Sequence, residues 1–68
     1  MNQKLINRFK IVSLAIINNP NCAILEEKLP IIAEAIDSGA PVAKDMVKYL
    51  EDSLLKIADY MAENENHE

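Results

Sequence analysis

Three prolines and one glycine constrain this chain more than any other feature, because each interrupts regular structure at a defined point. Proline lacks a backbone N–H and clashes with the carbonyl four residues earlier, so it suits the first turn of a helix but breaks a helix interior. Pro20, Pro30 and Pro41 therefore divide the chain into helical segments. Gly39 suits the left-handed conformation that often ends a helix.

Before Pro20, apolar residues recur at helical spacing. They are Leu5, Phe9, Val12 and Ile16. This pattern predicts a first helix over residues 2–18. The β-branched stretch 11–17 would also suit a buried strand, but no neighbouring segment offers a partner strand, so we expect a helix.

Asn19 and Pro20 predict the start of a second helix, with Asn19 as its cap and Pro20 in the first helical position. Pro30 interrupts the apolar pattern that follows. We expect the second helix to kink or split there, because the proline removes a hydrogen bond. Gly39 then ends it.

After Pro41, a nearly heptad apolar stripe predicts a long third helix. Its members are Ala43, Met46, Leu50, Leu54, Ile57 and Met61. A helix of about 20 residues is about 30 Å long, which is more than either preceding helix covers. The uncovered part predicts self-association or a docked partner.

The expected fold is therefore all-α: a small three-helix domain with the second helix kinked or split at Pro30 and a long third helix. It forms a single domain over residues 1–63, and residues 64–68 form a frayed acidic tail. Because 68 residues bury only about 60% of their unfolded surface, we expect low stability without a partner.

Charge is unevenly distributed along the chain, whose net charge is −4. Residues 1–25 hold Lys4, Arg8 and Lys10 without an acid, which gives +3, and residues 26–68 hold four Lys against eleven Asp and Glu, which gives −7. An acidic half repels phosphate backbones, which disfavours direct nucleic-acid binding.

The lone cysteine and the short apolar runs indicate a soluble protein of the cytoplasm. Cys22 has no partner for an intramolecular disulfide, which suits a reducing compartment. The longest apolar stretch, 11–17, is far shorter than the roughly 20 residues of a membrane span. Basic residues precede it, as in a signal peptide, but no small-x-small cleavage pattern follows.

No arrangement of residues predicts catalysis, a metal or a cofactor. His67 is the only histidine and lies in the tail without a cluster of ligands. Cys22 lacks a neighbouring base, and Glu27 and Glu34 are expected on a solvated face. With Gly39 as the only glycine, there is no phosphate-binding loop.

Residues 33–50 have the outline of a helix-turn-helix, with Gly39 in the turn and Lys44 and Lys48 on one face of the second helix. Acids that would oppose phosphates lie on the same helix. They are Asp45, Glu51 and Asp52. A helix-turn-helix DNA binder therefore stays an alternative.

The segment L-P-I-I-A-E-A-I-D-S-G-A-P, residues 29–41, resembles the theta subunit of bacterial DNA polymerase III and its phage homologue. In that family a proline opens a short helix and a second proline follows eleven residues later, as Pro30 and Pro41 do. M-V-K-Y-L-E-D-S-L-L is similar to the family's third helix. The resemblance spans Leu29 to Leu55 and implies a non-catalytic three-helix subunit docked on a proofreading exonuclease.

The segment S-G-A-P-V-A-K-D-M-V-K-Y-L, residues 38–50, also resembles small enterobacterial connector proteins. Those proteins are dimeric helical regulators. Both resemblances imply interaction with a protein and not turnover of a substrate.

The sequence therefore predicts a regulatory or accessory protein that binds another protein, or itself as a homodimer, through an apolar and acidic face of the third helix. Candidate contact residues on that face are Met46, Tyr49, Leu50, Tyr60 and Met61. Aromatic and Met side chains are common at interface cores, although Met46 and Leu50 also suit the protein core. A second alternative is a phage- or plasmid-type small inhibitor that occupies a nucleic-acid-binding site on its target.

Overall fold

The structure is a computed structural model, and it describes residues 2–65. This part of the chain forms four α-helices and one 3₁₀ turn and contains no strand. The elements are α1 (Gln3–Ile17), the 3₁₀ turn (Pro20–Cys22), α2 (Ala23–Glu26), α3 (Leu29–Asp37) and α4 (Ala43–Glu65). The all-α prediction is confirmed, but the predicted count of three helices is wrong because the second segment forms two separate helices.

α1 begins and ends within one residue of the predicted helix. The Asn2 side chain caps its start by accepting a hydrogen bond from the Leu5 backbone N–H at 3.2 Å. Asn18 ends it, and its backbone N–H bonds back to Leu14. Val12 and Ile16 are its buried residues.

Pro30 determines where the second segment divides. α2 ends at Glu26, which is the residue whose carbonyl the Pro30 ring would meet if the helix continued. The chain turns through Glu27 and Lys28, and Pro30 then lies in the first turn of α3, where no N–H is needed. The division therefore lies just before Pro30. Upstream, Asn19 caps the 3₁₀ turn by accepting from the Asn21 N–H at 3.0 Å.

Gly39 ends α3 in the left-handed conformation, with φ of 74°. Its N–H donates to the Ile36 carbonyl at 3.1 Å, and the Ala40 N–H donates to the Ala35 carbonyl at 3.0 Å. This pair of bonds is a Schellman motif. α4 begins at Ala43, two residues after Pro41, which the sequence had placed at the start of this helix.

All α-helices and the 3₁₀ turn contribute to one core. The buried residues are Val12, Ile16, Cys22, Leu25, Leu29, Ile32, Ala43, Val47 and Leu50. No polar or charged residue is buried in the described part of the chain. The core is therefore entirely apolar and small, as expected for this length.

α4 is longer than the helices that pack against it. It has 23 residues, against 15 in α1 and 9 in α3. Burial decreases along the apolar stripe of this helix. Ala43 and Leu50 are buried, Leu54 and Ile57 are half-buried, and Met61 is 36% exposed. Every described side chain after Ile57 is exposed. The last turns of α4 therefore project beyond the core.

The predicted frayed tail begins inside α4, since the helix runs to Glu65. The remainder of that tail, 66–68, lies outside the described residues. Among the helices that are described, none combines the length and the apolar character needed to cross a membrane.

Candidate protein-binding surface

The five predicted contact residues occupy three different environments on α4. Leu50 is fully buried and offers no surface to a partner in this fold, which corrects the contact set at that position. Met46 is half-buried against the core, and Tyr49 is 51% exposed beside it. Tyr60 is 65% exposed and Met61 36% exposed, further along the helix. The five residues therefore do not form one continuous face.

Met46 and Tyr49 line a groove between α3 and α4. The residues that line this α3–α4 groove are Lys28, Ile31, Ile32, Asp45, Met46 and Tyr49. It encloses about 320 Å³. Its base is apolar, and Lys28 and Asp45 provide a charged rim. An apolar base with a polar rim is the usual anatomy of a protein-binding surface.

Ile31 is the exposed apolar residue of this groove that the sequence interpretation missed. It is 61% exposed, whereas its neighbour Ile32 is 2% exposed. Because Pro30 lies in the first turn of α3, Leu29, Ile32 and Ile36 share the inward side at helical spacing. Ile31 is left on the outside. The helical spacing counted from Pro30 was the signal that would have revealed this exposed isoleucine.

Tyr60 and Met61 belong to a separate region near the end of α4. Tyr60 follows Tyr49 by eleven residues, which places the two rings on nearly the same side of the helix but about 16 Å apart along its axis. Met61 contacts the 3₁₀ turn, where the Asn21 side-chain amide lies 3.4 Å from its sulfur. A partner would have to be extended to contact both the groove and this end.

A second apolar groove lies on a different side of α4, against α1. The residues that line this α1–α4 groove are Arg8, Ile11, Val12, Ala15, Glu51, Asp52, Leu54 and Leu55. Ile11 is 72% exposed and Leu55 is 63% exposed. Neither residue was among the predicted contacts. Leu55 was missed because it lies outside the apolar stripe from which the contacts on α4 were predicted.

An ion pair joins the two helices at one end of the α1–α4 groove. The Arg8 guanidinium donates two hydrogen bonds to the Glu51 carboxylate, one of them from Nε to Oε2 at 3.2 Å. The hydrogen bond from Arg8 lowers the pKa of Glu51, and its charge acts in the same direction. The same bond raises the pKa of Arg8. Both side chains are about one-third exposed, at 33% and 34%.

The described residues bring no group of three or more metal-ligating side chains together. Cys22 is a buried free thiol. Glu27 and Glu34 are exposed, and His67 lies outside the described residues. The structure does present apolar grooves, two of which lie along α4, and these suit the binding of apolar side chains from another molecule.

Lys44 and Lys48, the basic residues of the helix-turn-helix alternative, are both exposed on α4. Asp45 and Asp52 are exposed on the same helix, and Glu51 is paired with Arg8. The lysines are therefore accompanied by acids in the folded chain as they are in the sequence.

Comparisons of this chain with protein-family models, with curated proteins and with solved structures give no match.

Proposed function

We propose that this chain is a non-catalytic regulatory or accessory protein of the cytoplasm that binds another protein through the α3–α4 groove. The observation that supports this is the exposure of Ile31 and Tyr49 side by side with Met46, in a concave surface. Exposed apolar side chains that line a concavity favour the insertion of a partner's apolar side chains. A role as a theta-like accessory subunit or a helical connector is compatible with such a surface.

Affinity capture from a host lysate tests this proposal. The wild-type chain is compared with Ile31→Glu and Tyr49→Ala. A charge or a truncation at the centre of the groove should lower the affinity for the captured protein at least about tenfold, because central contacts dominate interface energies. Both side chains are more than half exposed, at 61% and 51%, so neither change removes core packing.

The matched control is Leu55→Glu, which introduces the same charge at an equally exposed residue of α4 outside this groove. Circular dichroism checks that all variants remain helical. The proposal requires that a specific protein be retained by the wild type and by the control and lost by both groove variants. Equal retention by Ile31→Glu and Tyr49→Ala would contradict it.

The DNA-binding alternative is tested separately by a salt titration against a random DNA duplex. A binder that uses Lys44 and Lys48 should lose affinity steeply as salt increases, because counterions are released on binding. We expect no binding at any salt concentration, because Asp45 and Asp52 accompany the lysines on α4. The inhibitor alternative requires that the captured protein bind nucleic acid and release it when this chain is added.

A further inference from the structure

We propose that the α1–α4 groove binds a second copy of this chain, with the two α4 helices antiparallel about a two-fold axis that crosses α4 between Asp52 and Leu55. This inference is independent of the proposed function, because it uses a different side of α4. Tyr49 and Leu55 are six residues apart, which places their side chains about a third of a turn from each other.

The first observation is the apolar surface along the α1–α4 groove. Ile11 and Leu55 are 72% and 63% exposed, and Leu14, one turn from Ile11 on α1, is 62% exposed. Ala15 lies between the two helices in the same groove. Small and apolar side chains at this position let two helices approach closely. The centre of the groove therefore suits burial against another helical surface.

The second observation is that α1 and α4 run parallel to each other. Leu5 lies with Ala43 around one cavity, Arg8 is paired with Glu51, and Ile11 lies with Leu55 in the groove. Residue numbers therefore increase in the same direction along both helices. As a result, the first turns of both helices lie at one end of the surface.

Opposite charges lie on either side of Leu55 along α4. Near the start of the helices, Lys4, Lys44 and Lys48 are exposed outside the lining of the groove, and the exposed Asp45 lies next to Lys44 on α4. After Leu55 the exposed charged residues of α4 are Lys56, Asp59 and Glu63, of which Asp59 lies one turn from Leu55 on the same side of the helix. Lys48, Leu55 and Asp59 follow one another at intervals of seven and four residues, so they share one side of α4. On this side of α4 the basic Lys48 therefore precedes Leu55 and the acidic Asp59 follows it, and the exposed Asp52 lies beside Leu55 in the groove.

Such a surface is complementary to itself only when the second copy is antiparallel. A two-fold axis between Asp52 and Leu55 places Lys48 of one copy opposite Asp59 of the other, because both lie equally far from the axis along α4. Two-fold symmetry repeats this pair on the other side. The same axis places Leu55 of each copy opposite Asp52 of the other, because both lie equally far from it, and the two Leu55 side chains lie on either side of the axis. This self-complementarity favours a second copy over an unrelated partner at this groove.

Sedimentation equilibrium of the purified full chain over a range of concentrations tests the proposal. We expect a monomer–dimer equilibrium for the wild type, and a monomer for Leu55→Glu at high micromolar concentration. Lys48→Glu and Asp59→Lys should each weaken dimerisation about tenfold, since each turns two attractive pairs into repulsive ones. The double variant Lys48→Glu with Asp59→Lys exchanges the charges and should restore the wild-type equilibrium.

Ile31→Glu is the matched control, because Ile31 is as exposed as Leu55 but lies in the α3–α4 groove. It should dimerise as the wild type does. The charge variants keep the test decisive if Leu55→Glu fails to fold, since Lys48 and Asp59 are exposed and contribute nothing to the core. A wild type that stays monomeric, a dimer that Ile31→Glu abolishes, or a double variant that does not recover would overturn the proposal.

Discussion

The ionisation of Glu51, which is paired with Arg8, links the stability of the fold to pH. The Glu51 carboxylate accepts hydrogen bonds from Arg8, which lowers its pKa below the ordinary value of 4.5. A lowered pKa in the folded state means that the ionised form stabilises the fold. This stabilisation is complete above the pKa of the unfolded chain and is lost as the pH falls through the lower pKa of the folded chain.

We therefore expect Glu51→Gln to lower the free energy of unfolding at pH 7. The variant and the wild type should become equally stable at a pH so low that Glu51 of the wild type is protonated in both the folded and the unfolded state. Urea unfolding of the wild type and the variant at pH 7, and at several pH values below 4.5, measures this difference. The effect should be small, because exposed ion pairs contribute little. A difference that does not depend on pH would show that the ion pair is not its cause.

At the scale of elements, the turn between α3 and α4 depends on the conformation of Gly39. Its φ of 74° is unfavourable for residues with a Cβ. A Cβ added there would meet no atom within 4 Å, so steric contact with neighbours adds nothing to the cost. Gly39→Ala should therefore lower the free energy of unfolding by about 1 kcal/mol through backbone strain alone.

Gly39→Asn provides the control for this prediction, because asparagine adopts the left-handed conformation more readily than alanine. Its loss of stability should be clearly smaller, although its side chain is larger. Urea unfolding of both variants at neutral pH measures the two losses. If asparagine were as destabilising as alanine, or more so, side-chain bulk and not backbone conformation would control this turn.

The ends of the helices were largely predictable from the sequence, because they depend on local chemistry. Asn2 and Asn19 act as caps and Gly39 takes the left-handed conformation through interactions within a few residues. An interruption of the second helix at Pro30 was also predicted, either as a kink or as a split. The structure shows a split, so the segment that was predicted as one helix forms two helices, α2 and α3.

The candidate surface was less predictable, because it depends on how the helices pack. Met46 and Tyr49 were expected at a surface, and they do line a groove, but Ile31 completes it from another helix. Leu50 is on the same stripe as Met61, yet only Leu50 is covered by the rest of the fold. Periodicity identifies the apolar side of a helix, but tertiary packing decides how far along its length that side is buried.

At the scale of the whole molecule, the chain is elongated for its length. Its principal extents are 46 × 18 × 16 Å and its radius of gyration is 13.2 Å. A compact domain of this length has a radius of gyration of about 11 Å. α4, with 23 residues, is about 34 Å long and contributes most of the long dimension. An elongated monomer with a small core gains more from association than a compact one, because more of its apolar surface is still exposed.

If the chain dimerises through the α1–α4 groove, its melting temperature must rise with protein concentration. Unfolding of a dimer releases two chains, so mass action favours the folded state at higher concentration. Thermal unfolding followed by circular dichroism over a hundredfold range of concentration measures this rise. Leu55→Glu should unfold at one temperature throughout that range, because it removes the contact between copies while leaving the core of the monomer intact.

Ile31→Glu should keep the concentration dependence of the wild type, since its groove is not part of the dimer contact. The comparison separates the two surfaces without knowledge of any partner. At the lowest concentration the wild type and Leu55→Glu should converge on a common melting temperature, which is that of the monomer. A wild-type melting temperature that is the same at every concentration would contradict dimerisation through the α1–α4 groove.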